Sequence, residues 1–138
     1  MQVDFVHSSS SLDLFFTPEE DDSMEPNEKY GMASNQCNFQ LPDWAHFGAI
    51  HPDHLALVSI MLCFPFVGGR LLIKWPVSEK FIKKTEIITR FEVQAEVSEK
   101  GEYCPPGNSR PGLAFSGGVD SVAALAMMPS ETVSIFLD

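Results

Sequence analysis

Residues 113 to 129 read Leu-Ala-Phe-Ser-Gly-Gly-Val-Asp-Ser-Val-Ala-Ala-Leu-Ala-Met-Met-Pro, and this stretch decides how the chain is read. It parses as a short buried strand (Leu113 to Phe115), a tight loop (Ser116 to Gly118) and a helix from about Asp120 to Met127. Pro129 stops the helix, and Thr132 to Leu137 has the composition of a second strand. A β-α-β unit of this kind predicts two parallel strands with a right-handed crossover. The fold class expected is therefore α/β.

The loop composition has a chemical purpose. Gly117 and Gly118 admit backbone angles closed to other residues and let a ligand approach the main chain closely. Amides of the loop and of the helix start converge at the positive end of the helix dipole, where a polyphosphate can sit. Ser116 and Ser121 flank the loop as candidate hydroxyl donors to phosphate. Asp120 would repel a phosphate directly, so it is better suited to holding the loop, capping the helix or binding the Mg2+ that accompanies a nucleotide. Two rival glycine loops fail on inspection. No lysine follows Gly118 as a Walker loop requires, and no third glycine completes a dinucleotide fingerprint.

The hexapeptide Ser116-Gly117-Gly118-Val119-Asp120-Ser121 resembles, at every position, the SGGxDS signature of the ATP pyrophosphatase (PP-loop) family of adenine nucleotide alpha hydrolase-like domains. Its members include GMP, NAD and asparagine synthetases, tRNA thiolation enzymes and cyanodeazaguanine synthase. The resemblance covers residues 113 to 138. It implies ATP and Mg2+ as ligands, with Ser116 to Ser121 on the phosphates and Asp138, at the end of the second strand, as a candidate on the adenosine side. It also implies a reaction: an acceptor oxygen attacks the α-phosphorus, pyrophosphate leaves, and the adenylylated acceptor meets a nucleophile. Within the family the cyanodeazaguanine synthase-like branch is the first expectation. No Cys-His arrangement of a glutaminase is visible, which disfavours the amidotransferase members. The alternatives are a non-catalytic nucleotide-binding or regulatory module, or an inactive fragment. A doubly wound sheet needs about five strands, so the chain is expected to carry only the start of one, and turnover is expected to need residues beyond Asp138.

Outward from this unit the chain changes character. Gly101 to Gly112, with three prolines, is a breaker cluster and reads as a boundary. Residues 41 to 112 are expected to form a small α+β region. Within it, Pro52 and Asp53 suit a helix start, and Leu55 to Leu62 is apolar nearly all round, as in a buried helix. Arg70 to Pro76 reads as a strand. A helix capped by Ser78 follows, with Phe81, Ile82, Ile88 and Phe91 as its apolar face, and then an alternating strand from Phe91 to Val97. His46, His51 and His54 lie close together, but helix initiation accounts for the HPDH tetrapeptide without a metal.

The formal net charge of the 138 residues is -10. Residues 1 to 28 hold Asp4, Asp13, Glu19, Glu20, Asp21, Asp22, Glu25 and Glu28 and no lysine or arginine, so the acidity belongs to a segment. Residues 1 to 40 are accordingly expected to be weakly ordered, with Leu12 to Phe16 as either an edge strand or a docking peptide, and residues 17 to 35 poorly ordered. No basic surface argues for nucleic-acid binding. Cys37, Cys63 and Cys104 are odd in number and far apart, which fits a reducing compartment. With no secretory n-region and no apolar stretch long enough to span a bilayer, a cytoplasmic location without membrane association is expected. The acceptor substrate and the oligomeric state are not legible.

Overall fold

A computed structural model describes residues 1–25, 31–43, 46–89, 91–99, 101, 104 and 107–135. The chain divides into two units, Met1–Tyr103 and Cys104–Asp138. The division falls inside the breaker cluster.

The first unit is a mixed sheet with helices. Its strands are β1 (Gln2–His7), β2 (Ser11–Thr17), β3 (Gln36–Gln40), β4 (Arg70–Ile73) and β5 (Glu92–Gln94), in the spatial order β3-β2-β1-β4-β5. β1 and β2 form an antiparallel hairpin, and β3 adds antiparallel to β2. β4 runs parallel to both β1 and β5. Helices α1 (Pro52–Cys63) and α2 (Glu79–Thr89) occupy the connections into β4 and β5.

The strands alternate because one face packs on the core and the other faces water. Val3, Leu12, Leu14, Phe16, Leu71, Ile73 and Val93 point inward, against Leu55, Ala56, Ile60 and Cys63 of α1. On the outer face Asp13 accepts hydrogen bonds from Gln36 Nε2 (3.0 Å) and Asn38 Nδ2 (2.8 Å) of the neighbouring strand.

The first forty residues therefore differ from expectation. They supply three of the five strands rather than a weakly ordered segment, and β2 is internal, neither an edge strand nor a docking peptide. Burying a Val, Leu or Phe side chain contributes about 1.5–3 kcal/mol. Four such residues in β1 and β2 offset much of the ordering cost, about 1–2 kcal/mol per residue. The boundary drawn at residue 40 dissolves, since the sheet crosses it.

The acidic turn is also docked rather than solvated. Asp22 Oδ2 lies 2.6 Å from the Met1 α-ammonium and accepts the Glu19 N–H at 2.7 Å, while Asp22 Oδ1 accepts the Gly68 N–H at 2.9 Å. Its side chain is only 1% exposed. Glu19 pairs with Arg70 at 2.8 Å. Glycine at 68 has a steric reason: a Cβ there would clash with the Asp21 carbonyl oxygen. Pro26 to Tyr30, the rest of the acidic stretch, lie outside the described residues.

Helix α1 starts as the sequence predicts, with Pro52 in the first turn, and His51 Nδ1 accepts the Asp53 N–H at 3.3 Å. It is not buried all round. Leu55, Ala56, Ser59, Ile60 and Cys63 face inward, whereas Leu57, Val58, Met61 and Leu62 are exposed. In α2 Ser78 Oγ accepts the Phe81 N–H at 3.2 Å, as a cap should. Ile88, expected on the apolar face, is 77% exposed, and Phe91 is buried beyond the helix end.

The second unit consists of β6 (Gly112–Ala114), α3 (Val119–Met127) and β7 (Val133–Ile135). β6 and β7 are parallel, with Leu113 opposite Ser134. The β-α-β order predicted from sequence is present. β6 is not the buried strand expected: Leu113 is half-buried, Gly112 and Ala114 are exposed, and no residue of α3 is buried. Two strands and one helix give little to pack against.

Candidate functional site

The turn from β6 into α3 is built by Gly117 and Gly118 in different ways. Gly117 has φ +77°, in the left-handed region that favours glycine, and this bends the chain from strand to helix. Gly118 is the N-cap of α3 with φ -74° and ψ 165°, angles any residue adopts. A Cβ there would meet nothing closer than Ser116 Oγ at 3.6 Å, an ordinary contact. Neither the backbone nor the packing of the free loop requires glycine at 118. Close approach of a ligand to the main chain would.

The start of α3 is open. The first backbone bond of the helix runs from Val122 N–H to Gly118 C=O at 3.0 Å, so the amides of Val119, Asp120 and Ser121 precede the ladder. A glycine cap offers no side chain to them, and no side-chain hydrogen bond closes this end. These donors converge where the dipole of the nine-residue helix is positive.

The two serines expected to flank the loop are brought together, their hydroxyls 3.4 Å apart. Ser116 Oγ also accepts the Gly118 N–H at 3.4 Å, a long bond that an incoming oxyanion could replace. Ser121 donates its hydroxyl to Gly118 C=O at 2.9 Å. Asp120 lies exposed in the first turn of α3, and Val119 is 81% exposed beside it. One carboxylate is a usual protein contribution to Mg2+, which takes its other ligands from phosphates and water. The donor set thus fits a magnesium nucleotide. The adenosine-side candidate Asp138 lies outside the described residues.

Elsewhere, the histidines fall in with helix initiation. His51 caps α1, with its ring 6.0 Å from that of His54. Among the described residues no cluster of three His, Cys, Asp or Glu side chains could hold a metal ion. Cys37, Cys63 and Cys104 are free thiols. Burial pushes the Cys63 thiol up to about 12, which leaves it inert. Among the described residues no helix is long and apolar enough to cross a membrane.

Sequence reasoning missed a clasp between the two helix starts of the first unit. Asp53 accepts both the backbone N–H and the hydroxyl of Ser78, each at 2.7 Å, and joins the starts of α1 and α2. Each residue had been read as serving its own helix. Nothing local signals that the two meet.

No protein-family model matches the chain, and no curated protein or solved structure matches it significantly.

Proposed function

We propose that the loop from Ser116 to Ser121 binds the polyphosphate of ATP with Mg2+, in a domain of the ATP pyrophosphatase kind. The observation that carries this reading is Gly118. It is a glycine with ordinary angles and open space, placed beside uncapped helix amides in a complete SGGVDS match. Amides 118 to 121 would take the phosphate oxygens, displacing the long Ser116 bond to Gly118 N–H. Asp120 would hold the magnesium ion. β6 and β7 would be the first two strands of a doubly wound parallel sheet, with the nucleotide at their carboxyl ends.

The reaction that goes with this site is transfer of the adenylyl group. An acceptor oxygen bonds to the α-phosphorus, the bond to the bridging oxygen breaks, and pyrophosphate leaves. Loop amides stabilise the charge on the departing group by position alone. The absence of a Walker lysine after Gly118 weighs against γ-phosphoryl transfer. The acceptor is unassigned, and a cytoplasmic setting accords with the three free thiols.

Equilibrium dialysis of labelled ATP against the chain, with and without Mg2+, tests the binding. Saturable, magnesium-dependent binding is expected. Chromatography of the nucleotide after incubation of the full-length protein with a panel of carboxylate acceptors tests the chemistry: AMP and pyrophosphate support adenylyl transfer, and ADP overturns it. Binding without turnover leaves the loop a nucleotide-binding module.

A further inference from the structure

The sheet of the first unit ends differently at its two edges. β5 has three residues, and Glu92 N–H bonds toward β4 through Gly69 C=O. The next amide, Val93 N–H, faces the other way and is taken at 3.0 Å by the Glu86 carboxylate of α2. A short edge strand with a charged side chain laid on its free amide blocks further pairing.

β3, at the other edge, is not blocked in this way. It reads Gln-Cys-Asn-Phe-Gln, with no charge and no proline. Phe16 N–H donates to Asn35 C=O and Leu41 N–H to Ser10 C=O, each at 2.8 Å. Cys37 and Phe39, which alternate with these residues, face β2 as well, so Gln36, Asn38 and Gln40 turn their main-chain groups to the open edge. Ser34 Oγ takes the Gln36 N–H at 3.1 Å, but among the described residues nothing takes that of Asn38 or Gln40. The side chains keep the edge neutral. Gln36 and Asn38 both donate to Asp13, and Gln40 Nε2 donates to Asn38 Oδ1 at 2.8 Å. On the other face Cys37 and Phe39 pack against the core.

We propose that β3 pairs antiparallel with β3 of a second copy of this chain, about a two-fold axis through Asn38 and normal to the sheet. This centre sets Asn38 against its own copy and Gln36 against the partner's Gln40. Every outward residue then meets an outward residue, as the hydrogen-bonded pairs of an antiparallel ladder require. A one-residue slip would set outward residues against inward ones. Carboxamides both donate and accept, so each complements its like across the axis, where like charges would repel. Cys37 meets the partner's Phe39, which carries the apolar face across the junction. A strand of another protein is favoured less, because a neutral edge gives it no electrostatic preference, whereas β3 is complementary to itself.

Sedimentation equilibrium of the whole chain should show a mass that rises with concentration from one chain to two. Asn38→Pro removes a donor that the monomer does not use, at an edge position where proline is tolerated. Asn38→Lys sets like charges opposite each other. Each should weaken the dimer by about tenfold or more, with thermal melts reporting the fold. Disulfide trapping reads the register independently. With Cys37 and Cys104 replaced by serine, Asn38→Cys should cross-link two chains under mild oxidation, since Cα atoms of such a pair lie about 5.5 Å apart. Gln40→Cys, which faces Gln36 rather than itself, should not. A chain that stays monomeric at the highest soluble concentration overturns the proposal. So does a dimer that persists in folded Asn38→Pro and Asn38→Lys, and so does Asn38→Cys that cross-links no better than Gln40→Cys.

Discussion

The carboxylate of Asp53, in the first turn of α1, accepts the N–H and the hydroxyl of Ser78, the cap of α2, at 2.7 Å each. Both residues are buried, so the pair closes the helix layer with one charge and two donors. Asp53→Ala should destabilise the first unit by about 3 kcal/mol, since it strands two buried donors. Ser78→Ala keeps the backbone donor and should cost less, about 1 kcal/mol for the lost cap. Urea denaturation monitored by Trp75 fluorescence reads both. Equal costs would mean that the hydroxyl carries the whole interaction.

The acidic turn makes stability depend on pH in a defined direction. The Arg70 hydrogen bond holds the Glu19 carboxyl below its usual 4.5. Burial pushes the Asp22 carboxyl up, but hydrogen bonds from the Met1 ammonium and from the Glu19 and Gly68 amides outweigh it and leave it below its usual 3.8. Groups lowered on folding contribute stability that is present above their unfolded values and lost as pH falls through the folded ones. Stability should therefore decline once pH drops below about 4. In Asp22→Asn that decline should be shallower, with lower stability at neutral pH. A parallel acid limb in wild type and variant would show that Asp22 is not a source of it.

Gly68 lies under the Asp21 carbonyl, and a methyl group has no room there. Gly68→Ala should force the turn apart and cost about 1–3 kcal/mol, the usual range for overpacking. Gly69, where a Cβ meets nothing within 4 Å, is the control and should tolerate alanine. The comparison of the two denaturation midpoints decides.

The two loop glycines should separate folding from binding. Gly117→Val places a branched residue at φ +77° and should cost about 1–2 kcal/mol in the loop conformation as well as nucleotide affinity. Gly118→Ala should leave the thermal melt unchanged and still weaken ATP binding, because only the ligand needs the space. Undiminished ATP binding by Gly118→Ala would remove the observation on which the nucleotide reading stands.

Asp120→Asn should keep the fold, since the side chain is exposed, and should raise the Mg2+ concentration needed for half-maximal ATP binding. Ser121→Ala should cost about 2 kcal/mol of ATP binding, one hydrogen bond to a charged group, at all magnesium concentrations. Magnesium titrations of both variants distinguish a metal ligand from a phosphate donor. An unaltered magnesium requirement in Asp120→Asn would exclude Asp120 as the ligand.

The local grammar of this chain was legible without coordinates. Gly117, the Ser78 cap, Pro52 at the start of α1 and the β-α-β order after Gly112 all depend on a few neighbouring residues, and those lie together in sequence. The acidic first third was misjudged because composition counts charges without their partners. Only the fold brings Asp22 to the Gly68 amide and Glu19 to Arg70, 46 and 51 residues away. The apolar periphery of α1 likewise pointed to a buried helix, yet the tertiary structure covers one face and leaves Met61 in solvent. The sequence by itself determined the glycine turn from β6 into α3, since glycine conformation and helix amides are short-range properties. The five-stranded sheet and the Asp53–Ser78 clasp were decided by tertiary structure, because long-range pairing is set by which faces can be buried together.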